Sequence, residues 1–303
     1  PSQPVRLPSR QNGGGAGSKH TRQGRAGYAV RAYRLLPHPL RNVAASLRGA
    51  QLQGWRYGPE TEGLAQAALE REYWDASRWN EWQQAALRTV LAEAAHHVPF
   101  YRSLAIPGID RIGSADLQVL AQWPILKKAC LRKAPTDLLS DRYPLRHLWP
   151  EHTSGTTGTP LLLYHSRQAL RAWYALFEAR WRRWYGLSRH DRWGIVGGQM
   201  VVPIGQTRPP FWVYNLPMHQ LYLSAYHISA GTASMYLEAL GRFGAKYLWG
   251  YAASLAALAR FALEQKLTPP RLLAVISNAE PLLESQRATI RQAFSCPAYN
   301  TYG

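Results

Sequence analysis

Residues 153–160 read TSGTTGTP, a run of glycines and hydroxyl side chains with nothing large in it, and apolar Leu161, Leu162 and Leu163 follow directly. Small residues let a backbone pass close to a polyanion. Successive N–H groups can then converge on one concavity, and Ser and Thr hydroxyls add donors without bulk. Thr153, Ser154, Gly155, Thr156, Thr157 and Gly158 therefore read as a phosphate-holding loop that opens onto a strand. It is not the common nucleotide loop, whose second glycine precedes a lysine, because Gly158 is followed by Thr159 and Pro160.

Downstream of the loop the pattern alternates. Leu161 to Tyr164 reads as a strand, and Ser166 caps a helix over residues 167–185. The core face of that helix is Leu170, Trp173, Tyr174, Phe177 and Trp181, with Arg167, Arg171, Arg180, Arg182 and Arg183 turned outward. Residues 193–196 form a strand running into Gly197 and Gly198, and residues 199–215, rich in proline and glycine, form a loop or lid. Its Phe211, Trp212 and Tyr214 line an acyl pocket or simply pack. Helix positions 236, 239, 240 and 243 precede a strand at 245–249. Positions 255, 258, 259 and 262 mark the next helix and 272–276 a buried strand; 283, 287, 290 and 294 mark another helix and 298–302 a strand. Strand and helix in turn give βαβ units and a parallel sheet, with ligands outside the carboxyl ends of its strands. Two segments fall at those ends, SNAEP at 277–281 and TYG at 301–303.

The front of the chain differs in composition. Of the net charge of +18, half comes from residues 1–50, which hold nine Lys and Arg and no Asp or Glu. Residues 1–26 are almost without apolar side chains and read as a disordered basic tail, able to bind nucleic acid only weakly and without sequence preference. Residues 27–63 are helical in places and broken by Pro37, Pro39, Gly54 and Pro59. Trp79, Trp82, Ala86, Val90 and Ala94 then mark one face of a helix that Pro99 ends, with the tryptophans read as core. Beyond it, Lys127 and Lys128 place two cations ahead of the loop. With 46% hydrophobic residues the chain can bury a core. Cys130 and Cys296 have no partner at metal-ligand or CxxC spacing, so no metal site is expected and a reducing compartment fits. No run of ~18 apolar residues and no secretory signal is visible, which makes a cytoplasmic location the expectation.

The 153–160 string resembles the Ser/Thr/Gly-rich phosphate motif of adenylate-forming enzymes, the superfamily that includes acyl-CoA synthetases. Together with VPFYR at 98–102 and DLQVLAQWPILKKACLR at 116–132, it is similar to the phenylacetate-CoA ligase family and its CapK-like capsule-biosynthesis relatives. The resemblance runs from about residue 70 to Gly303. GYAASLAALAR at 250–260 matches as well; Ala129 and Cys130 depart, standing where the family has an acidic pair. The resemblance implies an α/β fold, the large N-terminal domain of an adenylate-forming enzyme, with a parallel sheet, helices on both faces and a helical lead-in. The expected divisions are a tail at 1–26, a lead-in at 27–150 and a nucleotide-binding core at 151–303. It implies ATP-dependent activation of a carboxylic acid as an acyl-adenylate, with transfer to CoA or another acceptor. Thr153 to Gly158 and Lys128 would meet the phosphates. Ala279, Glu280 and Pro281 would border the adenine, and Tyr302, followed by Gly303, would stack on it. In the family the glutamate that holds Mg2+ and a catalytic lysine come after the position of Gly303, so this stretch is expected to be catalytically incomplete by itself. The other readings are a noncatalytic binding remnant of such an enzyme and a basic nucleic-acid-binding protein, the latter without any RRM, KH or helix-turn-helix signature.

Overall fold

The computed structural model describes residues 31–104, 120–121, 123–153 and 161–301. The expected tail at 1–26, the loop residues 154–160, and Tyr302 and Gly303 lie outside the described residues. The chain divides into two compact units, residues 1–48 with 192–303, and residues 49–191.

Helix α1 (His38–Arg56) takes in two of the four expected breaks, Pro39 and Gly54, while Pro37 and Pro59 lie outside it as expected. Proline is tolerated in a first turn, where its missing N–H is not needed, so Pro39 sits inside α1 instead of ending it. Gly54 falls in the last turn.

In the unit of residues 49–191, α2 (Thr61–Glu70) is followed by a 3-10 turn (Arg71–Tyr73) and α3 (Ala76–His97). The Asp75 carboxylate accepts from the Arg78 N–H at 2.8 Å and starts α3. Short helices α4 (Pro99–Arg102) and α5 (Lys128–Lys133) come next, and strands β1 (Trp149–His152) and β2 (Leu162–His165) pair antiparallel. Helix α6 (Arg167–Trp181) is capped as expected, Ser166 Oγ accepting from the Ala169 N–H at 3.1 Å. Two helix faces differ from the sequence reading. On α3 the buried residues are Leu91 and Ala95, while Trp82 is 42% and Val90 63% exposed. Trp74, Trp79 and Trp82 pack edge to face with one another, and Arg71 and Arg78 lie over two of the rings, so the cluster is stabilised at the surface without a core to enter.

On α6 Trp173 is half exposed, and the buried positions are Leu170, Ala175, Glu178 and Ala179. Ala175 and Ala179 meet Ala65 and Ala68 of α2, small residues that let the two helices approach closely. Beside them lies a buried ion cluster. Glu178 accepts from Arg182 Nη1 at 3.1 Å and from the Arg189 N–H at 3.1 Å, with Arg183 Nε at 3.9 Å. Arg182, expected to face outward, is 2% exposed because its partner is one turn away on the buried side.

The second unit is built on a six-stranded sheet. Its strands are β3 (Trp193–Gly197), β4 (Trp212–Asn215), β5 (Gln220–Ser224), β6 (Tyr247–Gly250), β7 (Ala274–Asn278) and β8 (Ala298–Thr301), in the order β4-β5-β3-β6-β7-β8. All neighbours are parallel except β4 and β5, so the expected mostly parallel α/β sheet is what forms. The crossover helices are α7 (Ala233–Phe243), α8 (Ala252–Glu264) and α9 (Glu284–Phe294). They bury Tyr236, Leu240, Leu255, Leu258 and Ile290 against Val196, Leu221, Leu223, Leu248 and Val275 in one core. Each such side chain contributes roughly 1.5–3 kcal/mol of transfer free energy. The other face is aromatic and also buried, with Trp193 stacked on Tyr247 at a ring distance of 5.7 Å. Phe211 is 3% exposed and packs with Tyr236, so of the two roles open to it the structure gives it packing.

Replacing Glu178 by Ala removes the carboxylate that buried Arg182 bonds. E178A is expected to destabilise the unit of residues 49–191 by about 3–5 kcal/mol. Denaturant unfolding followed by near-ultraviolet circular dichroism measures this; an effect within about 0.5 kcal/mol, the size of a surface change, would make the cluster dispensable.

Candidate functional site

Strands buried on both faces leave only their ends for chemistry. At the carboxyl end of β7 the chain leaves the sheet through Asn278 and turns at Ala279, which adopts φ 61°, the left-handed region that a residue with a Cβ seldom occupies. Such a conformation persists only where its surroundings hold it. Here the hold is visible. The next residue, Glu280, accepts from the Ala253 N–H at 3.0 Å through Oε2 and so ties the turn to the first turn of α8. One of the four unpaired N–H groups that any helix start exposes is satisfied in this way, and the carboxylate lies at the positive end of the helix dipole. Pro281 follows and is exposed.

The end of β8 stands beside this turn. Asn278 and Thr301 are register partners. Thr301 Oγ1 donates to the Ser277 carbonyl at 3.1 Å, and Ser277 Oγ donates to Asn300 Oδ1 at 2.9 Å, so the two strand ends are cross-linked by side chains.

Next along the sheet, β6 and β3 end at Gly250 and Gly197. A Cβ on Gly250 would run into the Val196 backbone carbonyl, so that position needs glycine, and one on Gly197 would run into the Tyr222 side chain, so Gly197 is required as long as Tyr222 fills that space. The Tyr222 hydroxyl accepts from the Gln199 N–H at 3.2 Å, and the Tyr226 hydroxyl donates to the Gly198 carbonyl at 2.9 Å. Burial pushes the Tyr222 phenol up to about 12, partly offset by that N–H, with Tyr251 and Tyr226 close by. A constricted carboxyl edge results, formed by glycines, walled by tyrosines and joined to a held turn.

The residues named from sequence are distributed as follows. Ala279, Glu280 and Pro281 lie together at this edge, next to the strand that leads into Tyr302 and Gly303. Thr153 and Lys128 belong to the other unit. Thr153 and Leu161 flank the segment expected to hold phosphate: the Thr153 N–H donates to the Leu161 carbonyl at 3.0 Å, and Thr153 Oγ1 accepts from the Leu161 N–H at 3.0 Å, so these two residues are fastened to each other. Lys128 is exposed at the start of α5, with Lys127 before it in the capping position. Ser154, Gly155, Thr156, Thr157 and Gly158 lie outside the described residues. Sequence reasoning missed Tyr222, Tyr226 and Asn300. Tyr222 sits on β5, a strand the pattern did not reveal, and its alternation Leu221, Tyr222, Leu223 was the available signal. Among the described residues no group of three or more His, Cys, Asp or Glu is placed to hold a metal ion, and no helix is long and apolar enough to cross a membrane.

No family model matches the chain. Over 154 residues it is 32% identical to Protein CapK of Staphylococcus aureus, a match covering 50% of this chain and 33% of CapK. Its fold is similar to that of 2-hydroxyisobutyryl-CoA ligase. An open conformation in complex with 2-HIB-AMP and CoA gives a TM-score of 0.51 at 19% identity, over 74% of this chain and 53% of the ligase. The same ligase in the thioesterification state gives 0.50 at 19% identity, over 75% and 49%. The chain spans about half the length of the ligase and a third of CapK. It is similar to CapK over half of its residues and shares its fold with 2-hydroxyisobutyryl-CoA ligase.

The buried tyrosine gives this edge a pH signature. Tyr222 holds its proton in the folded chain up to about 12, against an ordinary value of 10.0. Its contribution to stability is complete below pH 10 and is lost as the pH rises through about 12; Tyr236, raised by burial, acts in the same direction. Two pH units correspond to about 2–3 kcal/mol. Urea unfolding across this alkaline range should therefore show a shallower fall in Tyr222→Phe than in the parent chain, and identical slopes would count against a buried phenol.

Proposed function

We propose that the chain forms the nucleotide-binding part of an enzyme that activates a carboxylic acid with ATP. A carboxylate oxygen attacks the α-phosphorus, pyrophosphate leaves, and an acyl-adenylate forms. The sulfur of CoA, or another acceptor, then attacks the acyl carbon and AMP departs. The observation that carries this reading is the held turn at Ala279 and Glu280, set beside the end of β8 at the carboxyl edge of a parallel sheet. The 32% identity to CapK and the fold shared with a CoA ligase support it.

In this proposal each group acts by position. Thr153, Ser154, Gly155, Thr156, Thr157 and Gly158 offer backbone and hydroxyl donors to the phosphates, where charge moves as pyrophosphate leaves. Lys128 adds a cation to them. Ala279, Glu280 and Pro281 border the adenine, and Tyr302 with Gly303 closes over it. With its carboxylate engaged at the α8 start, Glu280 shapes the pocket. Residues 197–199 and their tyrosines wall the space next to the adenine side, where an acyl group would sit. Magnesium, when bound, would offset the negative charge of the phosphates and of the leaving pyrophosphate.

The test uses ATP and AMP as probes in calorimetric titrations of the chain. Both are expected to bind. Thr156→Ala with Thr157→Ala should weaken ATP at least about tenfold, the loss of one good hydrogen bond to a charged group, and AMP by less. Lys128→Ala should weaken ATP more than Lys127→Ala, since adjacent side chains on a helix do not face the same way. Failure of both nucleotides to bind would overturn the functional reading; equal affinities for the double threonine variant would overturn the role of the loop.

A further inference from the structure

The connection from α9 to β8 borders a second concave surface, at the amino end of β8 and so at the opposite end of that strand from Asn300 and Thr301. Helix α9 stops at Ser295, whose N–H donates to the Arg291 carbonyl at 2.9 Å and whose φ of 51° lies in the left-handed region. Glycine usually makes such a stop. The turn sends Cys296 into the core, and Pro297 leads into the strand. An open cavity of about 670 Å³ lies between the last two turns of the helix and the first residues of β8.

Arg287 and Arg291, one turn apart on one face of α9, both line this cavity. Arg287 is fixed from two sides. Its Nη1 donates to the Ala298 carbonyl and its Nε lies 3.3 Å from Glu284 Oε2, which leaves Nη2 without a partner among the described residues. The Arg291 guanidinium forms no ion pair among the described residues. The other polar groups of the lining are the Gln292 amide and the Ser295 and Tyr299 hydroxyls, and no Asp or Glu is among them. Burial pushes the Cys296 thiol up to about 11, so near neutral pH it adds no charge. Cations in a last turn complement the helix dipole, but two guanidiniums sharing a cavity that lacks an acid repel each other until an anion lies between them.

The charge selects the anion. A carboxylate or a sulfate ester offsets one guanidinium, whereas a phosphate monoester, with about −1.5 to −2 charges near pH 7, offsets both. Its oxygens also match the two-pronged donor geometry of arginine. The volume falls within the range of cavities that hold small organic ligands. It leaves room beyond the phosphate for the alcohol that carries it, beside the half-buried Tyr299 ring. We infer that this cavity binds a small phosphate monoester through Arg287 and Arg291. It is additional to the nucleotide site proposed at the carboxyl edge and does not depend on that reading.

Calorimetric titration of the 303-residue chain with phenyl phosphate, and with phenyl sulfate as a singly charged ester of the same shape, tests this. The phosphate should bind at least about tenfold more tightly than the sulfate, the difference made by one further interaction between charged partners. Arg291→Gln should weaken phenyl phosphate about tenfold or more. Its melting temperature should stay that of the parent, because the side chain is exposed, and so should its affinity for ATP. Arg242→Gln, at an exposed position on α7, should leave phenyl phosphate binding unchanged. Absence of phenyl phosphate binding, equal affinities for the two esters, or an Arg291→Gln variant that binds as the parent does would each overturn the proposal. The last of these, together with displacement of the ester by ATP, would place it at the carboxyl edge instead.

Discussion

A parallel strand buried on both faces can be approached only at its ends, and this constraint organises the larger unit. Its side chains go into the helix-covered core or the aromatic face, and its backbone groups into the ladder. Both ends of the sheet carry backbone and side-chain closures. At the amino ends the Lys246 N–H reaches the Arg192 carbonyl at 2.7 Å, Arg192 Nη1 donates to the Phe243 carbonyl at 3.2 Å and Trp193 Nε1 to the Met218 carbonyl at 2.9 Å. At the carboxyl ends Glu280, Tyr226, Thr301 and Ser277 are bonded. What sets the carboxyl edge apart is the left-handed backbone at Ala279 and the close approaches at Gly197 and Gly250.

The lateral edge imposes a second demand. A row of unpaired N–H and C=O groups on β4 has to be covered or left as a template for aggregation. An apolar helix face could shield such a row but would leave its hydrogen bonds unmade, at a cost of about 1–3 kcal/mol for each buried group. His38, Asn42 and Ser46 make them instead. The polarity of α1 is therefore set by the strand it serves, and its leucines are displaced outward as a result.

How far these features could be read from sequence depends on what each one needs. The βαβ series after residue 233 was legible because each element buries one periodic stripe, and α7, β6, α8, β7, α9 and β8 follow in the expected order, with β6 and β7 starting two residues later than the pattern puts them. Strands β4 and β5 were not legible. Each is four or five residues long, and they are joined by a tight turn through His219, whose left-handed backbone no glycine announces. The apolar stripe of α3 was assigned to the wrong side because tryptophans that stack on each other at the surface look, in one dimension, like a core face. Arg182 was placed in solvent because nothing local shows that Glu178, one turn earlier, is inside. At the candidate site, the SNAEP segment was legible as the end of a buried strand, whereas the Glu280 bond to Ala253 joins positions 27 residues apart and exists only once the sheet is assembled.

Where β3 ends, the ring of Tyr222 fills the volume that a side chain at Gly197 would need. Two neighbouring strands thus share one allotment of space, and either could supply the group that fills it. Homologous chains carrying a larger residue at the first position should carry a smaller one at the second, a paired exchange that leaves the backbone where it is. For redesign, the same pairing means that room beside β3 can be opened by trimming a side chain on β5, with no change to the strand that bears the glycine.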